Sequence, residues 1–77
     1  MPKVLVLKRF GYTQSDASMS WVINHNLNLT HPVVDVWLED GAGNFTNSDA
    51  HEVTITSTNT VTVNFDFDAV KGVALVT

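Results

Sequence analysis

The chain has no cysteine among its 77 residues, which excludes disulfide staples and thiolate metal sites as sources of stability. It holds only four Lys and Arg against eight Asp and Glu, a formal charge of −4. Affinity for nucleic acid comes mainly from cations on phosphates, so this balance argues against a DNA or RNA partner. Long apolar runs are also missing. The stretch Val4 to Leu7 falls far short of the ~20 residues of a membrane span, so no membrane insertion is expected. Lys8 and Arg9 interrupt that stretch too early for a secretory leader, and the chain reads as a soluble protein made in the cytosol. Glycine is too sparse for a phosphate-binding loop, since Gly41 and Gly43 precede a strand rather than a helix. Gly-x-Ser-x-Gly is absent, so no cofactor and no enzymatic activity is expected.

A chain of this length forms one small domain, whose core rarely supplies more than ~3–5 kcal/mol. Without disulfides or a metal, the remaining supplement is self-association, in which neighbours lend each other surface. The charges are unevenly spread. Lys3, Lys8 and Arg9 fall in the first nine residues and only Lys71 follows them. An acidic body with a weakly basic leading strand allows head-to-tail contacts between copies, but the charges are too few to require them.

No helical period occurs, whereas period-two alternation recurs and Val, Thr and aromatic residues dominate. The expected strands are Lys3 to Phe10, Met19 to His25, Val33 to Glu39, a short return from Phe45, Glu52 to Thr56, Thr60 to Phe67, and Val73 to Val76. Gly11 to Ser18 reads as a polar loop, and Asp68 to Gly72 as a turn. Within the second strand Met19, Trp21 and Ile23 share a face. In the third, Val34, Val36 and Leu38 oppose Asp35, Trp37 and Glu39. Pairing Thr56 with Thr60 across the loop Ser57-Thr58-Asn59 sets Ile55 opposite Val61, Val53 opposite Val63 and Thr54 opposite Thr62. Phe65 and Phe67 extend the buried stripe, and Asn59 is the natural left-handed residue of that loop. The fold class is all-β: a small antiparallel β-sandwich of six or seven strands. Residues 1–10 read as an N-terminal docking or strand-exchange segment, and residues 11–77 as the sandwich.

One series of residues carries a resemblance. Tyr12-Thr13-Gln14 is followed by Ser20-Trp21-Val22-Ile23-Asn24-His25-Asn26-Leu27, then Pro32-Val33-Val34-Asp35-Val36 and Asp40-Gly41-Ala42-Gly43-Asn44. Asn59-Thr60-Val61-Thr62-Val63-Asn64-Phe65 and Gly72-Val73-Ala74 complete it. Over residues 12 to 77 this resembles a small β-sandwich module of tailed-bacteriophage virion proteins, found in tail fibres, fibre-like appendages and capsid-surface proteins. Such modules usually carry glycine after the His-Asn-Leu triplet; here Asn28 stands there, a residue that also accepts a left-handed turn. The resemblance implies a virion structural protein, either a capsid decoration (cement) protein or an appendage subunit. It would work as a homo-oligomer, by analogy a trimer, bound to capsid or tail proteins. The second reading is a receptor-binding tail-fibre module that recognises a host-surface glycan.

The candidate interface residues are Val4, Val6, Phe10, Tyr12 and Trp37. Val4, Val6 and Phe10 belong to a segment apolar on both faces, which unpaired would be an exposed edge. Trp37 sits by alternation beside Asp35 and Glu39. An indole there suits a protein interface, a second buried face or sugar stacking. His25, Asn26, Asn28 and Asn59 are expected to be structural turn residues, with His25 bonding to backbone where its strand ends. His25, His31 and His51 lack the face-sharing spacing of a metal site. Asp35, Glu39, Asp40, Asp66 and Asp68 read as solvated carboxylates rather than a glycosidase pair, for which so small a sandwich has little room.

Overall fold

A computed structural model describes residues 9–49 and 51–77. They form seven strands: β1 Phe10–Ser18, β2 Ser20–Asn24, β3 Val34–Glu39, β4 Phe45–Asn47, β5 Glu52–Ser57, β6 Thr60–Asn64 and β7 Val70–Val76. Two antiparallel sheets result, one ordered β1-β7-β3-β4 and the other β2-β6-β5. The expected all-β sandwich is the fold. The expected strand Lys3 to Phe10 lies outside the described residues except at its end, where Phe10 opens β1.

The core lies between the sheets. Trp21 and Ile23 from β2, Val61 and Val63 from β6, and the adjoining Phe65 meet Val36, Ala74 and Val76 from the opposite sheet. Trp21 is fully buried against Phe65 (ring centroids 4.9 Å) and near Tyr12 (6.2 Å). Its indole N–H donates to the Val70 carbonyl at 3.1 Å, which gives the polar end of a buried tryptophan its partner.

Five expectations need correction. Gly11 to Ser18 is a strand, not a loop. Its polar residues obscure an alternation in which Phe10 and Tyr12 point inward, and β7 pairs with Phe10 to Gln14 and, past an irregularity, with Ser18. β7 begins at Val70, so Val70 to Gly72 belong to a strand rather than a turn. β6 stops at Asn64, and Phe67, beyond it, is 54% exposed instead of continuing the stripe of Phe65. Met19 sits at the corner before β2 and is largely exposed, although it was expected on the face of Trp21. Finally, Ser57 rather than Thr56 pairs with Thr60, so the β5–β6 connection is the two-residue turn Thr58-Asn59, with the register shift taken up at Thr56. The register of Val53, Thr54 and Ile55 against Val63, Thr62 and Val61 is as expected.

The β3–β4 hairpin is closed by Asp40, whose carboxylate Oδ1 accepts from the Asn44 N–H (2.9 Å) and the Ala42 N–H (2.8 Å). These bonds favour the charged form and hold the carboxyl below its ordinary range, the Asn44 bond most strongly. A carboxyl whose native pKa is depressed stabilises the fold above its unfolded pKa, and that contribution is lost as pH falls through the native value. An NMR titration is therefore expected to place the Asp40 midpoint below that of an unstructured aspartate, with the hairpin shifts following the same midpoint. An ordinary or raised midpoint would contradict this bonding.

Candidate functional site

The string Trp21 to Asn28 turns out to be a clamp between a strand end and a hairpin. The His25 and Asn26 N–H groups both donate to the Asn59 carbonyl (2.9 and 3.2 Å), and the Leu29 N–H donates to the Thr58 carbonyl (2.8 Å). The Asn59 side-chain oxygen accepts from the Asn28 N–H at 2.9 Å. Asn26 and Asn28 hold φ at 55° and 52°, while Asn59, the residue expected to be left-handed, does not. Asn59 serves instead as an acceptor twice over. His25 is 2% exposed, and its Nδ1 accepts from the Leu27 N–H at 3.0 Å. Its proton is therefore placed on Nε2, a buried atom without a hydrogen-bond partner among the described residues. The N–H groups of His25, Asn26 and Asn28 all end on Asn59, and these bonds hold the chain after β2 to the β5–β6 hairpin.

The histidines are not gathered together. His31 is exposed, and His51 is half-buried beside Phe65 at 6.1 Å. Among the described residues no group of three or more His, Cys, Asp or Glu is placed to hold a metal ion. Glu39 pairs with Lys71 at 3.5 Å and Asp40 is engaged in its hairpin. Asp35, Asp66 and Asp68 are exposed.

The two outer faces of the sandwich differ in character. On the three-stranded sheet the outward residues are Ser20, Val22 and Asn24, then Thr60, Thr62 and Asn64, then Glu52, Thr54 and Thr56. Only Val22 among them is apolar. Threonine pairs and the Thr60 to Asn24 side-chain bond (2.7 Å) suit a solvated surface.

The four-stranded sheet presents Trp37 in line with Val73 and Thr13, and Asp35 in line with Leu75 and Gly11. Glu39 and Lys71 close one end of this face. Because Gly11 contributes no side chain, a hollow of about 300 Å³ opens beside the indole, lined by Gly11, Tyr12, Thr13, Trp37, Val73, Ala74 and Leu75. The ion pair at its end contributes little by itself, as surface pairs do. An apolar centre with a charged rim is the anatomy of a protein interface.

No protein-family model matches the sequence, and comparisons with curated proteins and with solved structures give no match. The outer face therefore has to be read from its own residues. Of the candidates, Trp37 lies on it. Tyr12 does not present its ring there: it packs inward against Trp21, its hydroxyl bonded to Gln14. Phe10 also packs against the core, and Val4 and Val6 lie outside the described residues. Val73 and Leu75 complete the face and were not singled out from sequence. The available signal was that β7, Val-Lys-Gly-Val-Ala-Leu-Val, is apolar at both alternating sets of positions, as a strand covered on both sides would be.

Proposed function

We propose that the protein is a structural component of a bacteriophage virion, a capsid decoration protein or a subunit of a fibre-like appendage. It is made in the host cytoplasm and works without catalysis. It assembles as a homo-oligomer, by analogy a trimer, and attaches to capsid or tail proteins by burying apolar surface. The observation that carries this reading is the asymmetry of the two outer faces. One is a threonine surface suited to water, and the other centres Trp37, Val73 and Leu75 around a hollow. The resemblance of residues 12 to 77 to virion sandwich modules supplies the setting.

A second reading, a glycan-recognising fibre module, is favoured by one feature. The Trp37 indole borders the open hollow at Gly11, with the Asp35 carboxylate in the neighbouring row, an arrangement that suits stacking on a sugar. The inward turn of Tyr12 removes the second aromatic that this reading wanted.

The variant Trp37→Ala separates them. The structural reading expects it to weaken self-association by about 2 kcal/mol or more, the effect of losing an interface anchor, with no glycan binding in either protein. Light scattering gives the mass and a glycan array gives the ligand. Unchanged assembly together with lost glycan binding would overturn the structural reading in favour of the receptor one.

A further inference from the structure

We infer that the free edge of β5 seats the basic segment Lys3 to Arg9 of a second copy of the chain. This rests on the self-associating reading above and names a contact that would produce it. Among the described residues β5 pairs only with β6, so a row of its backbone groups has no strand beside it. Such an edge is a template for strand addition. Ile55, on this strand, is 41% exposed. At the Glu52 end, Asp49, His51, Glu52, Asp66 and the exposed Phe67 line a hollow of about 470 Å³.

Carboxylates gather at this edge. Glu52 of β5 is joined at the hollow by Asp49 and Asp66, whereas the edge strands β2 and β4 carry no charged residue and β1 carries Asp16 alone. Lys3, Lys8 and Arg9 stand in a seven-residue stretch without a carboxylate, while all eight carboxylates and Lys71 lie in residues 10–77. The segment supplies what the hollow at β5 lacks, with four apolar residues between the cations.

Topology makes the contact intermolecular. Arg9 adjoins Phe10, which pairs with Val76 at one end of the sandwich. Ser18 pairs with Val70 at the other end, where Ser20 starts β2 opposite Asn64, and Asn64 in turn faces Glu52. From the Phe10–Val76 pair to the Ser18–Val70 pair the sheet runs six residue steps of β7, roughly 20 Å at ~3.3 Å each, the irregularity after Gln14 taking up the extra residues of β1. To reach its own hollow the segment would have to reverse at Arg9, pass from one sheet to the other, ~10 Å away, and still cover that length with the few residues back to Lys3. A neighbour stacked on the Val70 end needs no reversal. Its segment enters beside Glu52 and runs antiparallel to β5, with Lys8 and Arg9 at the carboxylates and Val4 to Leu7 along the strand. Such a head-to-tail contact closes into a ring or propagates as a fibre.

Sedimentation velocity at low ionic strength tests this with a charge swap. One protein carries Lys3→Glu, Lys8→Glu and Arg9→Glu; the other carries Asp49→Lys, Glu52→Lys and Asp66→Lys. Each alone is expected to associate at least about tenfold more weakly than wild type. Their equimolar mixture is expected to regain wild-type association, because reversed segment then meets reversed hollow. Should the lysine protein lose its β-sheet circular dichroism, Asp49→Asn with Glu52→Gln and Asp66→Asn keeps the shape, and the same tenfold weakening is expected. Reversed proteins that associate like wild type, or a mixture as weak as its components, would overturn the inference and leave self-association standing. A wild type that stays monomeric would remove both.

Discussion

Gly72→Ala is expected to unfold the domain or leave it barely stable at room temperature. Gly72 lies within β7, paired on one side with Gln14 and on the other with Leu38. At its φ of 159°, a Cβ would stand 2.0 Å from the Trp37 carbonyl oxygen and 3.0 Å from Leu38 Cα. Both are backbone atoms of a strand held in a ladder, so no side-chain rotation relieves the clash. Overpacking a fixed site costs about 1–3 kcal/mol and sometimes more, and relief here means breaking β3–β7 pairing beneath Trp37. A domain this small has only ~3–5 kcal/mol in hand. Gly41→Ala is the control, because a Cβ there meets nothing within 4 Å. It is expected to fall within about 0.5 kcal/mol of wild type in urea unfolding followed by circular dichroism. Equal stability of Gly72→Ala and Gly41→Ala would show that β7 does not pass β3 as closely as described.

The second large effect is expected at Trp21. Replacing this fully buried side chain with alanine removes its packing on Phe65 and leaves a cavity, a change that costs about 3–5 kcal/mol. That matches the whole expected stability, so Trp21→Ala should be unfolded without denaturant. Trp21→Phe divides the effect into parts. The ring contact is largely kept, but the Val70 carbonyl loses the indole N–H that reaches it at 3.1 Å, a loss of about 1–3 kcal/mol. Trp37, on the outer face, remains as a fluorescent reporter in both variants. Trp21→Phe with wild-type stability would remove the hydrogen bond from the account. A folded Trp21→Ala would remove Trp21 as the centre of the core.

These two sites differ in how far they could be seen in advance. Trp21 was legible because Ile23 shares its face while Ser20 and Asn24 fall on the opposite one. The β5–β6 hairpin was legible in register because Val53, Thr54 and Ile55 mirror Val63, Thr62 and Val61. Gly72 was misread as the end of a turn, since glycine marks turns more often than close strand approaches and only the position of β3 reveals the difference. β1 was hidden for a related reason. Gln14, Ser15 and Asp16 give no alternating apolar signal, and β1 holds as a strand because β7 pairs with Phe10 to Gln14 and again with Ser18. Asn59 sits in the expected turn with a different task, because its acceptor role depends on a partner turn thirty-odd residues away. Alternation alone put Trp37 outside the core. What alternation could not supply was the neighbouring row, Val73 and Leu75, which makes a face out of a single side chain.

The proposed function stands on that face being covered in the working state. The measurement closest to it is the absolute mass of the wild-type protein by light scattering across a concentration series, alongside Trp37→Ala. The account expects a mass several times the 8.5 kDa of one chain, lowered in the variant. A mass of one chain at every concentration, in both proteins, would contradict it.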